Sequence, residues 1–344
     1  IAIHIKTRYS TNGISYTEMM GYYVGIDLGA TNIRVVVASD DASVIESGGV
    51  STPQGPSGIA VTEAVLRVTR NTCQAASISP DQVSAAGIGA IGPLNLTSGS
   101  VEDPANLPNT INEIPLTGPL SVLFDTERVF LHNDTNAGAI GERFHADTNP
   151  DDMAYLTISS GIGAGVCVDG SVIDGWDGNA GEVGHMTVDP RGKLTCGCGH
   201  DGHWEAYCSG NNIPHYARAL ADEQTIETDL PLSDPDFSAK DVFLRADEDR
   251  LAAHIVEQLG RWNAIGVANL IHAYAPLVIY VGGAVALNNP TAVLDPIRAH
   301  IDDMVMSNVP EIKLTTLGDD VVVMGAVASA LTGGTGDHSH LRMD

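Results

Sequence analysis

The segment Tyr22-Tyr23-Val24-Gly25-Ile26-Asp27-Leu28-Gly29-Ala30-Thr31-Asn32-Ile33-Arg34-Val35-Val36-Val37-Ala38-Ser39 decides the fold class. An apolar run over 22–26 enters Asp27-Leu28-Gly29-Ala30-Thr31-Asn32, and a second, β-branched run over 33–38 leaves it. Only a tight turn separates the two runs, so they read as a β-hairpin rather than a strand–helix crossover. A third strand is expected over 44–50, a helix over 57–76 and a buried strand over 83–91. Three hairpin-linked strands, a helix and another strand form a mixed α/β unit without the Rossmann order.

The same element order returns downstream. A short strand is expected over 129–131 and a helix over 136–145, followed by a second hairpin in AYLTISSGIGAGVCVDG, Ala154 to Gly170. Helices over 204–223 and 251–275 come next, then a strand over 277–281, Gly282-Gly283 and a helix over 291–307. A strand over 313–317 and a helix over 321–331 close the pattern. Two similar α/β halves facing a cleft is the expected architecture. The first lobe would take 21–134 plus 318–332 and the second 135–317. Residues 1–20 carry no apolar signal-peptide core and are expected to be a disordered leader; 333–344 are expected to be a disordered tail.

Composition narrows the function. Seventeen lysines and arginines stand against 43 aspartates and glutamates, a net charge of −26. Such a field repels phosphate backbones, so no nucleic-acid partner is expected. No run approaches the roughly 18 uncharged apolar residues of a spanning helix, so no membrane partner is expected either. Lysine occurs only at Lys6, Lys193, Lys240 and Lys313. Scattered acidity with so little lysine is read as a halophile's surface, as in a halophilic archaeon; an acidic mesophile protein would be expected to carry more lysine. Five cysteines make an odd set, which argues against a disulfide framework. Cys196 and Cys198 share a glycine-rich turn, suggesting a metal site in a reducing, cytoplasmic compartment, with Cys73, Cys167 and Cys208 as buried or bystander thiols.

The turns carry the chemistry. Asp27 with Gly29, Ala30, Thr31 and Asn32 places a carboxylate at a strand end beside small residues. Backbone N–H groups there can approach phosphate oxygens, and Asp27 can hold Mg²⁺ through water. A plain hairpin turn with a capping aspartate is the alternative. Ser160, Gly161 and Gly163 repeat the pattern in the second half, and Gly282-Gly283 precedes a helix. Two such turns fit a nucleotide held by both halves. No GxxxxGK[ST] occurs, which excludes the P-loop NTPases.

Together these residues resemble the sugar kinases of the actin, hexokinase and Hsp70 superfamily (a ribonuclease H-like fold), and within it the ROK family of repressors, open reading frames and kinases. The resemblance runs over about 22–331. Its most specific stretch is ISSGIGAGVCVDGSVIDGWDGNAGEVGH, Ile158 to His185, with Gly161, Gly163, Gly165, Gly175, Gly181 and Gly184 in register. The resemblance implies that Asn133 and Asp134 bind sugar and that Asp134 is the catalytic base on the 6-hydroxyl. An N-cap aspartate for the following helix is the competing reading of Asp134. Glu182, His185 and Glu205 match the family's other sugar ligands, and Asn106 matches the asparagine of its NLP segment. Asn109 and Thr110 replace the glycine and tryptophan that often follow that segment.

The resemblance also implies zinc. The family's motif ends Cys-x-Cys-Gly-x-x-Gly-Cys-x-Glu, and here His203 stands at the third cysteine. His185, Cys196, Cys198 and His203 then make a Cys₂His₂ set, closed and structural, with His200 as an alternative fourth ligand and a metal-free thiol-rich turn as the competing reading. The implied function is ATP- and Mg²⁺-dependent phosphorylation of a hexose at its 6-hydroxyl. Glucose is favoured, with fructose, mannose, N-acetylmannosamine and N-acetylglucosamine as alternatives, in a homodimer or higher homo-oligomer. A sugar-responsive repressor is the competing class; its helix-turn-helix domain would precede Asp27, ahead of which only 26 residues stand here.

The charge generates a test. The Debye length shrinks from about 10 Å at 0.1 M salt to about 3 Å at 1 M, relieving carboxylate repulsion. Melting temperature and activity should both rise over that range and continue upward in molar KCl. A melting temperature that is flat or falling between about 0.1 and 2 M KCl, a span over which screening approaches completion, refutes the halophile reading.

Overall fold

The hairpin around Asp27 is present in the computed structural model, which describes residues 7–9, 15–17, 21–104, 106–223, 226–339 and 341. The chain divides into two compact units, Ile1–Phe144 with Val322–Asp344, and His145–Val321.

The first unit begins with a short antiparallel pair, β1 (Thr7–Tyr9) and β2 (Ser15–Thr17), where a disordered leader was expected. The rest of 1–20 lies outside the described residues. β3 (Tyr22–Leu28), β4 (Asn32–Ala38) and β5 (Val44–Ser51) form an antiparallel meander. α1 (Gly58–Ala75) follows, burying Val61, Ala64, Val65, Val68 and Thr72 at the three-to-four-residue spacing of one helical face. β6 (Val83–Ala90) then enters the sheet parallel to β3. A small sheet of β7 (Leu94–Asn95), β8 (Ser100–Glu102) and β9 (Glu113–Pro115), with α2 (Thr117–Phe124), intervenes. These pieces escape a sequence reading because strands of two or three residues carry too few alternations to register. β10 (Val129–Asn133) pairs parallel with β6 and passes directly into α3 (Asp134–His145). The sheet order is β10-β6-β3-β4-β5.

The second unit repeats that plan. β11 (Met153–Ile158), β12 (Ile162–Val168) and β13 (Ser171–Val172) form the antiparallel edge. The helix expected over 204–223 is two: α4 (Glu205–Cys208) and α5 (Ile213–Glu223), parted by Ser209-Gly210-Asn211-Asn212. The break lets Gly210 N–H bond the Ser159 carbonyl at 2.7 Å. α6 (Ala239–Leu244) comes next. α7 (Arg250–Tyr274) starts where Asp249 accepts from the Leu251 and Ala252 amides, both at 2.9 Å. β14 (Val278–Gly282), α8 (Ala284–Asn288), α9 (Pro290–Ile301) and β15 (Glu311–Leu314) complete the unit. Its sheet order is β13-β12-β11-β14-β15, with β11, β14 and β15 parallel. In each unit an antiparallel edge therefore gives way to three parallel strands.

α10 (Val321–Thr332) returns to the first unit and is apolar except for Ser329 and Thr332. A Cβ on Gly25 or Gly87 would collide with its backbone, so only bare strand positions let it lie this close to β3 and β6. Gly325 of α10 packs in the same way against the Ala137 carbonyl of α3. That packing keeps α3 in the first unit, so the boundary falls at Phe144/His145 rather than at Asp134. The tail is also ordered as far as it is described. Arg143 donates to the Thr335 carbonyl at 2.7 Å, and His338 Nδ1 lies 2.6 Å from the Phe144 carbonyl oxygen.

His132 of β10, two residues before the start of α3, is buried, and its Nε2 shares a 2.8 Å hydrogen bond with Ser329 Oγ of α10. Its Nδ1 meets no partner among the described residues. Burial holds its pKa down, from 6.5 to about 4. The unfolded chain therefore takes up a proton below about pH 6.5 that the folded chain refuses until about pH 4, and stability falls through that window by up to about 1.4 kcal/mol per pH unit. Urea unfolding in molar KCl at pH 7, 6 and 5 should show a shallower acid loss in His132→Gln than in the wild type. Parallel losses would show that His132 contributes nothing to it.

Candidate active site

In the first unit, the candidate residues Asp27, Asn133 and Asp134 lie at or next to the carboxyl ends of the parallel strands. Asp27 of β3, Gly89 of β6 and His132 of β10 are register partners, followed by Leu28, Ala90 and Asn133. Two strand spacings, about 10 Å, thus separate the Asp27 and His132 backbones. Asn133 and Asp134 are half-buried where β10 becomes α3. Asn133 Oδ1 accepts from the Thr135 amide (3.0 Å) and hydroxyl (2.7 Å), while Asp134 Oδ1 accepts from the same amide at 2.8 Å. Asn133 therefore shares in the capping, and Asp134 sits in the first helical turn. Asn106 is exposed in the loop between β8 and β9.

The turn after Asp27 is braced from the end of β5. Thr52 Oγ1 donates to the Gly29 carbonyl at 2.7 Å, the Thr52 amide to the Thr31 carbonyl at 2.8 Å, and Gln54 to the Ala30 carbonyl at 3.0 Å. Asp27 Oδ2 accepts from Arg34 Nε (2.9 Å) and Nη2 (2.7 Å). Sequence reasoning missed Arg34, although the signal was available. In a hairpin that pairs Leu28 with Ile33, the residue opposite Asp27 must be Arg34. The ion pair holds the Asp27 carboxylate in one orientation beside the turn.

In the second unit, the three-residue loop Ser159-Ser160-Gly161 closes the β11–β12 hairpin, with Gly163 opposite Thr157. Gly282 ends β14 beside Thr157, and Gly283 turns away with φ +85°. A side chain at Gly283 would press on the Ile158 carbonyl, so the two chain segments meet backbone to backbone. The expected nucleotide residues of each unit thus lie at the carboxyl ends of its own parallel strands, where open α/β sheets bind ligands.

Glu182 precedes a single 3₁₀ turn (Val183–His185) that His185 ends, with His185 Nε2 3.6 Å from Glu182 Oε2. Burial in the loop pushes the Glu182 carboxyl up, against the pull of His185 and with the push of Glu205. Ligand atoms of His185, Cys196, Cys198 and His203 all lie within 4.8 Å of one another. Cys196 Sγ is 3.6 Å from His185 Nδ1, and Cys198 Sγ is 3.2 Å from His203 Nδ1; His200 Nδ1 stands farther off, 3.8 Å from Cys198. Cys73, Cys167 and Cys208 are buried and form no disulfide among the described residues.

Two residues that the sequence reading passed over anchor this loop. Asp189, 1% exposed, accepts from the Tyr207 hydroxyl at 2.9 Å and from the Arg191 amide and guanidinium, each at 3.0 Å. The Tyr207 oxygen in turn accepts from the Leu194 amide at 3.1 Å. Tyr207 shares α4 with Glu205, so the loop carrying Cys196 is tied to the helix carrying Glu205. Trp204, fully buried, completes the anchor by donating to Asn263 of α7 at 2.9 Å.

The chain is similar to known proteins along most of its length. A glucokinase of Pyrobaculum calidifontis is 33% identical, over 90% of this chain and 95% of its own. The crystal structure of a ROK hexokinase from Thermus thermophilus superposes with a TM-score of 0.74 at 30% identity, covering 90% of this chain and 97% of that one. A ROK family glucokinase from Streptomyces griseus, solved in complex with glucose and AMPPNP, gives 0.71 at 28% identity, covering 90% and 99%. The family model described as ROK family matches residues 23–332, from the Asp27 hairpin through the helix that returns to it, and on that span the chain belongs to the ROK family.

Proposed function

We propose that this chain transfers the γ-phosphoryl group of ATP to the 6-hydroxyl of glucose. The observation that carries the reading is the placement of Asn133 and Asp134: a carboxylate held at a strand end by its own helix start, in a chain one-third identical to a glucokinase. Asn106, Asn133, Glu182, His185 and Glu205 supply a polar set suited to ring hydroxyls. Asp134 accepts the hydroxyl proton as the oxygen attacks phosphorus, and ADP leaves with the other electron pair. Gly29 to Asn32, Ser160 to Gly163, and Gly282-Gly283 offer backbone to the nucleotide. Mg²⁺ would neutralise phosphate charge, with Asp27 as its water-bridged holder and Arg34 keeping that carboxylate aligned. We place the enzyme in the cytoplasm, as a homodimer or higher homo-oligomer, in keeping with its family.

The donor chemistry at the loop fits zinc. A tetrahedral ion with bonds of roughly 2.0 Å to nitrogen and 2.3 Å to sulfur spaces its ligands about 3.5 Å apart, and the Cys196–His185 and Cys198–His203 contacts fall close to this. Four protein ligands leave no place for substrate, so the ion would be structural. With Nδ1 turned to the metal, His185 keeps Nε2 for Glu182 and sugar.

A coupled ADP assay in molar KCl over glucose, fructose, mannose, N-acetylmannosamine and N-acetylglucosamine tests the reading, with the highest kcat/KM expected for glucose. Activity on none of them would overturn it. Asp134→Asn should bind glucose normally by calorimetry while kcat falls about 10²-fold or more, the scale of a lost general base. A fall of less than about tenfold would remove Asp134 from that role. Purified protein should hold about one zinc per chain, and Cys198→Ser should lose metal and sugar binding together. Active enzyme without zinc would refute the site, and zinc retained in His203→Ala would move the fourth position to His200.

A further inference from the structure

Glu205 touches two parts of the second unit at once. Its Oε2 accepts the Ile162 amide at 2.8 Å, at the foot of the Ser159-Ser160-Gly161 loop. Its Oε1 lies 3.9 Å from Cys196 Sγ, beside His185. Forty-three residues separate Glu205 from Ile162, so no local turn requires this bond.

Gly161 shows what the bond demands. A Cβ built there would lie 2.7 Å from Glu205 Oε2 and 3.5 Å from Glu205 Cδ, with no other non-neighbouring atom within 4 Å. Unlike Gly283, Gly161 does not have a positive φ, so its backbone is open to any residue. The carboxylate of Glu205 alone fills the space a side chain would take.

We infer that Glu205 couples hexose binding to the phosphate-binding turn, one oxygen fixing the turn at Ile162 and the other serving the sugar side, and that Gly161 is a glycine to admit this carboxylate. The coupling rests on the function proposed above. It makes hexose and nucleotide affinities interdependent, and such dependence is reciprocal. It also crosses the two residues' apparent roles: a change in the nucleotide turn should damage sugar binding, and a change in a sugar ligand should damage nucleotide binding.

Calorimetry with each ligand alone tests both directions, with zinc content and melting temperature as controls for folding. Gly161→Ala should weaken glucose binding by about tenfold or more in the absence of nucleotide, the scale of a displaced charged hydrogen bond. Glu205→Ala should weaken AMPPNP binding by about tenfold in the absence of sugar, since the Ile162 amide loses its acceptor. Glu205→Gln keeps an acceptor oxygen and should restore AMPPNP affinity to within about threefold while glucose binding stays poor. Wild-type glucose affinity in Gly161→Ala, or wild-type AMPPNP affinity in Glu205→Ala, overturns the coupling even though the wild type binds both ligands. If Gly161→Ala does not fold, the Ala and Gln variants of Glu205 decide it. A wild type that binds AMPPNP but no hexose overturns the functional reading instead, and the coupling with it.

Discussion

The first unit depends on backbone-to-backbone packing of its last helix. α10 lies against β3 and β6 where Gly25 and Gly87 offer no side chain, and against α3 through Gly325. Side chains at these places would push the helix outward and expose an apolar element whose neighbours bury nearly all of it. Each buried Val or Leu contributes roughly 1.5–3 kcal/mol, so close seating is strongly favoured. The same helix carries Ser329, which holds His132 and with it the strand end that presents Asn133 and Asp134. A contact made purely of packing thus fixes the position of the proposed base.

The second unit solves the same problem with different parts. Its antiparallel edge and three parallel strands repeat the order of the first unit, and in each unit small residues stand at or just after the ends of two parallel strands: Gly29 and Ala90 in the first, Ser159 and Gly282 in the second. The repetition has one physical origin: parallel strands end on the same side, so their following turns gather there. What differs is the decoration. The first unit braces its turn with Thr52 and Gln54 and an Asp27–Arg34 ion pair. The second braces its turn with a carboxylate, Glu205, delivered from the far side of a loop.

That loop has little regular structure, and its order comes from anchors. Two isolated bridges, Thr187 with His203 and Thr195 with Asp201, fold it back on itself. The Leu194–Tyr207–Asp189 chain and buried Trp204 fasten it to the helices below. The gathering of His185, Cys196, Cys198 and His203 therefore has support beyond its own four side chains.

Local pattern made much of this legible. The hairpin at Asp27, the second hairpin at Ser159, the long helix over Arg250–Tyr274 and the Cys196–Cys198 pair could all be read from neighbours in sequence, because strand alternation, helical period and ligand spacing act over a few residues; His185 and His203 joined that pair only through the family resemblance. Even Arg34 was written in the hairpin register. The strand pair Thr7–Tyr9 with Ser15–Thr17 and the tail bonds of Thr335 and His338 were not legible, because low local signal looks the same whether a segment is loose or packed by distant groups. Tertiary structure alone decided the bonds from His132 to Ser329, 197 residues away, and from Ile162 to Glu205, 43 away. It alone decided that α3 stays with the first unit, and that Gly87 and Gly161 are bare for a neighbour's sake. A sequence records which residues can bond and turn; which distant atom fills the space beside them is set only when the chain closes on itself.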